Sequence, residues 1–219
     1  MKEILISTWQ AITVQRRLPR LAGGVTVLLV FVLAISLRQP ATAEENQYLT
    51  GQLLVATPEM KDPRFFQAVI YMVRHSEDGA MGLVINRPVG IGPISELLKG
   101  LGVESEGAKG KIVLHYGGPV ERGKGFVLHT NDYVKGATQV VDDRFAVTAD
   151  IKILQAIAHG KGPKHSLVIM GYAGWAPRQL EAEIKAGGWF SIAAEEGLVF
   201  DKEAEDKWER ARARRKIKI

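Results

Sequence analysis

The sequence predicts an α+β domain built on a mixed β-sheet. Three observations carry that: short apolar, β-branched runs bounded by turn residues, only a few segments with helical periodicity, and no regular alternation of strand with helix. At 219 residues the chain has the length of one domain with appendages. Hydrophobic residues make up 46%, charged residues 24%, and mean hydropathy is -0.01, a composition that can bury a core. Cysteine is absent, which excludes disulfides, thiolate nucleophiles, and Cys-ligated zinc or iron–sulfur centres.

Gln52 to Thr57 reads as a strand stopped by Pro58, and Asp62-Pro63 lies in a loop. Phe66 to His75 and Met81 to Asn86 read as a hairpin around Ser76-Glu77-Asp78-Gly79. Ile94 to Leu101 fits a short helix with Leu97, Leu98 and Leu101 on one side, followed by an exposed loop from Gly102 to Lys111. Ile112 to Tyr116 and Phe126 to Thr130 read as two strands that pair with each other, with Val140 and Val141 as a further edge. Asp150 is the expected N-cap of a helix from Ile151 to Ala158 that Gly160 ends. Leu167 to Met170 reads as a buried strand, and Gly171-Tyr172-Ala173-Gly174-Trp175 as the turn into a helix opened by Pro177 and stopped by Gly187-Gly188. Phe190 to Ala194 and Leu198 to Phe200 complete the expected strands.

The net charge of +5 sits at the two ends. Residues 1–43 and 205–219 each carry +4, whereas 44–204 carries −3, so the body offers poor phosphate neutralisation. In 1–43, Arg16, Arg17 and Arg20 precede an apolar stretch over 21–37, and Ala41-Thr42-Ala43 follows it, the three parts of an export signal. The stretch reads as a signal peptide cleaved after Ala43, as a retained transmembrane helix anchoring the body outside the cytosol, or as the product of a start codon placed too early. The 205–219 tail reads as a solvated helix; its alternative role is an anionic-surface or RNA contact through Arg210, Arg212, Arg214, Arg215, Lys216 and Lys218.

Chemistry-bearing residues are sparse. His75-x-Glu77 with Asp78 falls in a hairpin turn, where solvated charge is the default, so no metal is expected. His115 and His129 occupy corresponding places in two expected neighbouring strands; they are the weak catalytic candidates, as general base, with Asp132 or Glu121 to orient them. The Gly171 to Gly174 segment lacks the serine of a nucleophile elbow, and no phosphate-loop spacing is present.

Taken together, Gly51-Gln52-Leu53-Leu54-Val55-Ala56, Asp62-Pro63-Arg64-Phe65, Gly82-Leu83-Val84-Ile85-Asn86-Arg87-Pro88, Gly117-Gly118-Pro119-Val120, and Gly171 to Trp175 with Gln179-Leu180-Glu181 resemble the bacterial AlgH/YqgE family, over about Tyr48 to Phe200. The resemblance implies a strongly bent, partly barrel-like mixed sheet flanked by a few helices. It also implies a cytosolic protein without a leader, from which residues 1–47 depart. Some family members carry a transcriptional-regulator label, but no helix-turn-helix pattern is visible here. The resulting reading is three-part: a leader over 1–43, a domain over 44–204, and a basic tail over 205–219. The domain is expected to be a non-catalytic binding or regulatory module with no cofactor. Its groove would be formed by the two glycine turns, with Arg64, Asn86, Gly117, Gly118, Pro119, Tyr172 and Trp175 as binding residues for an unknown protein or small ligand. The alternatives are a histidine-base enzyme, and a nucleic-acid binder acting through the tail; no specific nucleic acid is expected.

Overall fold

The computed structural model describes residues 48–215. The leader, and with it the signal-peptide and transmembrane readings, lies outside the described residues; among those described, no helix is long and apolar enough to cross a membrane. Among the described residues there are ten strands: β1 Gln52–Ala56, β2 Val69–Ser76, β3 Gly79–Val84, β4 Pro88–Pro93, β5 Lys111–Tyr116, β6 Val120–Thr130, β7 Thr138–Val140, β8 Phe145–Thr148, β9 Ser166–Trp175 and β10 Trp189–Ala193. Between and after them lie helices α1 Ile94–Gly100, α2 Lys152–Ala158, α3 Gln179–Lys185, α4 Glu196–Val199 and α5 Lys207–Ala213, with one 3-10 turn at Pro63–Phe65. The sheet runs β10-β1-β2-β3-β9-β6-β8-β7 and curls into a half-barrel, with the β4–β5 ribbon attached to β9.

The unbroken apolar run of β1 has a physical reason: both of its faces are covered. Leu53 and Val55 enter the core of the half-barrel with Tyr71, Leu83, Ile169 and Phe190. Leu54 and Ala56 enter a second cluster with Ile70, Met72, Phe65, Trp175, Leu180 and Trp189. A third cluster joins Leu98 of α1 and Leu154 of α2 to Val127 and Val168.

Strand β9 organises the sheet. Over Val168–Met170 it pairs parallel with β5 and antiparallel with β6; from Ala173 it pairs antiparallel with β3. The expected pairing of the strands carrying His115 and His129 is therefore corrected, because β9 lies between them. The segment from Gly171 to Trp175 is also corrected: it is strand, not turn. Gly171 at φ +73 lets the strand continue past the Gly117-Gly118 main chain, and a Cβ on Gly118 would run into the Tyr172 backbone. The helix expected from Pro177 begins at Gln179, after Arg178 in the left-handed region.

Two strands escaped the sequence reading. β4 is Pro- and Gly-rich and exposed, while β8 is only four buried residues long. Leu198 to Phe200, expected as strand, form the second half of α4 and its C-cap; a three-residue apolar run cannot distinguish the two. The tail is not a solvated helix either. Over Lys207–Ala213, Lys207, Trp208 and Ala211 are buried, and Trp208 Nε1 donates to Ala56 O at 2.8 Å. Lys207 Nζ donates to Val199 O and Asp201 O at 2.8 and 3.1 Å, closing the end of α4. Burial lowers that ammonium to about 8.

Candidate functional site

Loop 57–66, α3, the start of β10 and the end of β9 enclose a cleft of about 400 Å³. Asp62 builds its outer wall: its carboxylate accepts from the Arg64 backbone N–H at 2.9 Å, fixing the 3-10 turn, and from the Arg64 guanidinium at 2.6 to 3.1 Å. That guanidinium hydrogen bond holds the Asp62 carboxyl below its ordinary range. The turn sends Phe65 inward, where it stacks near Trp175 (6.3 Å, 22°) and stands edge-on to Trp189 (5.5 Å, 64°). Glu183 pins this floor. Its Oε2 accepts both indole N–H groups, from Trp175 at 3.0 Å and Trp189 at 2.8 Å, and its Oε1 accepts from Gln179 Nε2 at 2.9 Å.

Of the expected binding residues, Arg64, Pro119 and Trp175 line this cleft, and Trp175 is buried rather than exposed. Gly117 and Gly118 stand behind it, where they permit the close passage of β9; Val84 N donates to Gly117 O and Gly117 N to Met170 O. Tyr172 turns to the half-barrel side, edge-on to Phe126 and 3.5 Å from Glu121. Asn86 is a staple: its Oδ1 accepts from Val69 N and its Nδ2 donates to Gln67 O, both at 2.9 Å.

Sequence reasoning missed Phe65, Gln179, Glu183, Trp189 and Arg87. Arg87 donates to Arg64 O at 2.6 Å and Phe66 O at 2.7 Å and so holds the loop from behind. The i,i+4 spacing of Gln179 and Glu183 was the available signal. The three described non-glycine residues with positive φ, Gln67 (54), Glu121 (44) and Arg178 (64), each adjoin a segment of this site. Such conformations cost about 1–3 kcal/mol and cluster where a surface is held for a purpose.

The histidines lie elsewhere. His129 is fully buried, its Nδ1 2.8 Å from Thr130 O and its Nε2 2.9 Å from Thr148 Oγ1. His115 is buried with Nδ1 3.4 Å from Val168 O. Burial lowers both pKa values. Neither expected orienting carboxylate reaches them by a hydrogen bond: Asp132 accepts from Thr130 Oγ1 and Lys164 N, and Glu121 pairs with Lys124. His75 meets Glu181 at 3.1 Å rather than Glu77. In the tail, Arg210 pairs with Asp201 and Asp206, Arg212 with Glu209, and Arg214 with Glu195, while Arg215 lies over the Phe190 ring. Lys216 and Lys218 lie outside the described residues.

A family model described as AlgH-like matches residues 53–219. A UPF0301 protein of Rhodopseudomonas palustris (strain HaA2) is 46% identical over 185 residues, covering 80% of this chain and 85% of the relative. Another, from Methylococcus capsulatus, is 42% identical over 175 residues, covering 80% and 96%. The solution structure of the AlgH protein of Pseudomonas aeruginosa superposes with a TM-score of 0.65 at 39% identity, covering 77% of this chain and 89% of that one. A crystal structure from Corynebacterium diphtheriae shares the fold, with a TM-score of 0.61 at 20% identity and coverage of 78% and 88%. The chain therefore belongs to the AlgH-like family.

Proposed function

We propose that the protein is a non-catalytic binding or regulatory module whose cleft between α3 and loop 57–66 receives a small ligand or a peptide segment of a protein partner. The observation that carries this reading is the Glu183 carboxyl group, which fixes two indoles and Gln179 at the base of an aromatic cleft. A mostly apolar cavity with a few convergent polar groups is the usual form of a recognition site. Its polar groups are engaged in holding shape: Asp62 is tied to Arg64, and Glu183 accepts from three donors. The paired arginines of the tail argue against nucleic acid as the partner.

The test is a titration of small-molecule fragments and short peptides, read by the indole N–H resonances of Trp175 and Trp189. Ligands are expected to shift both signals. Ala186→Phe, which fills the cleft from the end of α3, should weaken binding at least tenfold with the sheet resonances unchanged. A broad library that moves neither indole would reject the reading.

A further inference from the structure

His75 sits near the end of β2 with its side chain 1% exposed, and its two ring nitrogens face the entering chain on one side and α3 on the other. Leu49 N approaches Nδ1 at 3.0 Å. A backbone N–H can only donate, so Nδ1 must carry the lone pair, and the single proton of the neutral ring is on Nε2, donated to Glu181 Oε1 at 3.1 Å. The ring thus bolts the chain entering the domain to α3. Tyr48 packs edge-on to it at 5.2 Å, and the His75 backbone N–H donates to Thr50 Oγ1 at 2.8 Å.

We propose that His75 is a one-proton clasp that latches Tyr48–Leu49 to the domain while neutral and releases them when protonated. A second proton has to enter at Nδ1, where it would face the Leu49 N–H donor to donor, so that hydrogen bond is lost. The same proton strengthens the contact with Glu181, so α3 stays in place. Glu181 is the charged group that reaches the ring from α3, and Tyr48 contributes the phenol of the entering segment. β3 places Ala80 opposite, and on its own hairpin Arg74, Glu77 and Asp78 are exposed.

The test uses the full chain. Ring nitrogen shifts give the tautomer and titration of His75, and amide exchange of Leu49, corrected for its intrinsic pH dependence, gives the latch. At pH 8 Nδ1 should be the bare nitrogen with Leu49 protected. Protection should fall at least tenfold as the ring protonates, while Gly51, whose N–H is bonded to Met72 O, stays protected. His75→Asn, whose Oδ1 can accept from Leu49 but cannot titrate in this range, should keep protection independent of pH. Glu181→Gln, which removes the charge favouring the imidazolium, should move release to lower pH. A proton on Nδ1 at pH 8, a ring that stays neutral down to pH 5, or Leu49 protection indifferent to the charge on His75 would each overturn the clasp.

Discussion

On the α3 side of the sheet, Phe65, Trp175 and Trp189 surround a cleft, with Glu183, Gln179 and the Asp62–Arg64 pair fixing its base and rim. On the α1 and α2 side, a groove of about 200 Å³ is lined chiefly by Leu97, Leu101, Leu114, Val127, Leu154 and Met170. Both are hollows beside an apolar cluster. In the first, directional hydrogen bonds hold large rings at set angles, and non-glycine residues in strained backbone frame the walls. In the second, the polar groups are few, and fully buried His129 uses both ring nitrogens internally. A hollow lined by interchangeable aliphatic groups can repack, whereas one pinned by hydrogen bonds keeps its shape when empty. That contrast is why the cleft, and not the groove, is assigned recognition.

The sharpest way to break the contrast is to cut one large residue on each side and read denaturant midpoints. Trp189→Ala should cost about 3–5 kcal/mol and broaden the Trp175 indole signal, since it opens a cavity and removes a donor to Glu183. Leu154→Ala, 7% exposed beside the groove, should cost about 2–3 kcal/mol, the low end for such a change, and leave both indoles untouched. Equal disturbance of the indoles would erase the distinction.

Acid comes next. Burial depresses His129 and His115, so the folded state binds fewer protons than the unfolded chain below the ordinary histidine value of about 6.5. Their contribution to stability is whole above that pH and is lost as pH falls toward the folded values, with a slope of up to about 1.4 kcal/mol per pH unit for each ring. Thr148, the partner of His129, lines the groove, so acid is expected to loosen α2 before the cleft, as seen by residue-resolved exchange. Earlier loss of α3 would reverse the assignment.

The smallest effect sharpens the role of strain. Gln67→Gly, Glu121→Gly and Arg178→Gly should each raise stability by a few tenths to about 1 kcal/mol by relieving positive φ, measured as thermal midpoints. If the strain serves the cleft, the same variants should bind its ligand more weakly.

Local chemistry made several elements legible in the residues. Ser76-Glu77-Asp78-Gly79 announced a hairpin, and the spacing of Ile151, Leu154, Ile157 and Ala158 a helix, whereas Asp62-Pro63 read only as a loop where the structure forms a capped 3-10 turn. The site was legible only in fragments. Arg64, Pro119 and Trp175, named through family blocks, line the cleft, but Trp189 has no local signature and Glu183 only its i,i+4 spacing from Gln179, because their placement depends on α3 lying across the β9 and β10 ends. Tyr172 and Trp175 look equivalent in sequence, and only the register of β9 sends them to different clusters.

By itself the sequence determined that short apolar strands outnumber helices, that the chain turns at Ser76-Glu77-Asp78-Gly79, and that charge concentrates at its ends, since these follow from side-chain period, backbone stereochemistry and composition. The tertiary structure alone decided that β9 separates His115 from His129, that the basic tail docks through Trp208, and that two indoles meet on one carboxyl group. Those outcomes depend on contacts between residues far apart in the chain, whose geometry is set by the way the sheet curls and not by any local pattern.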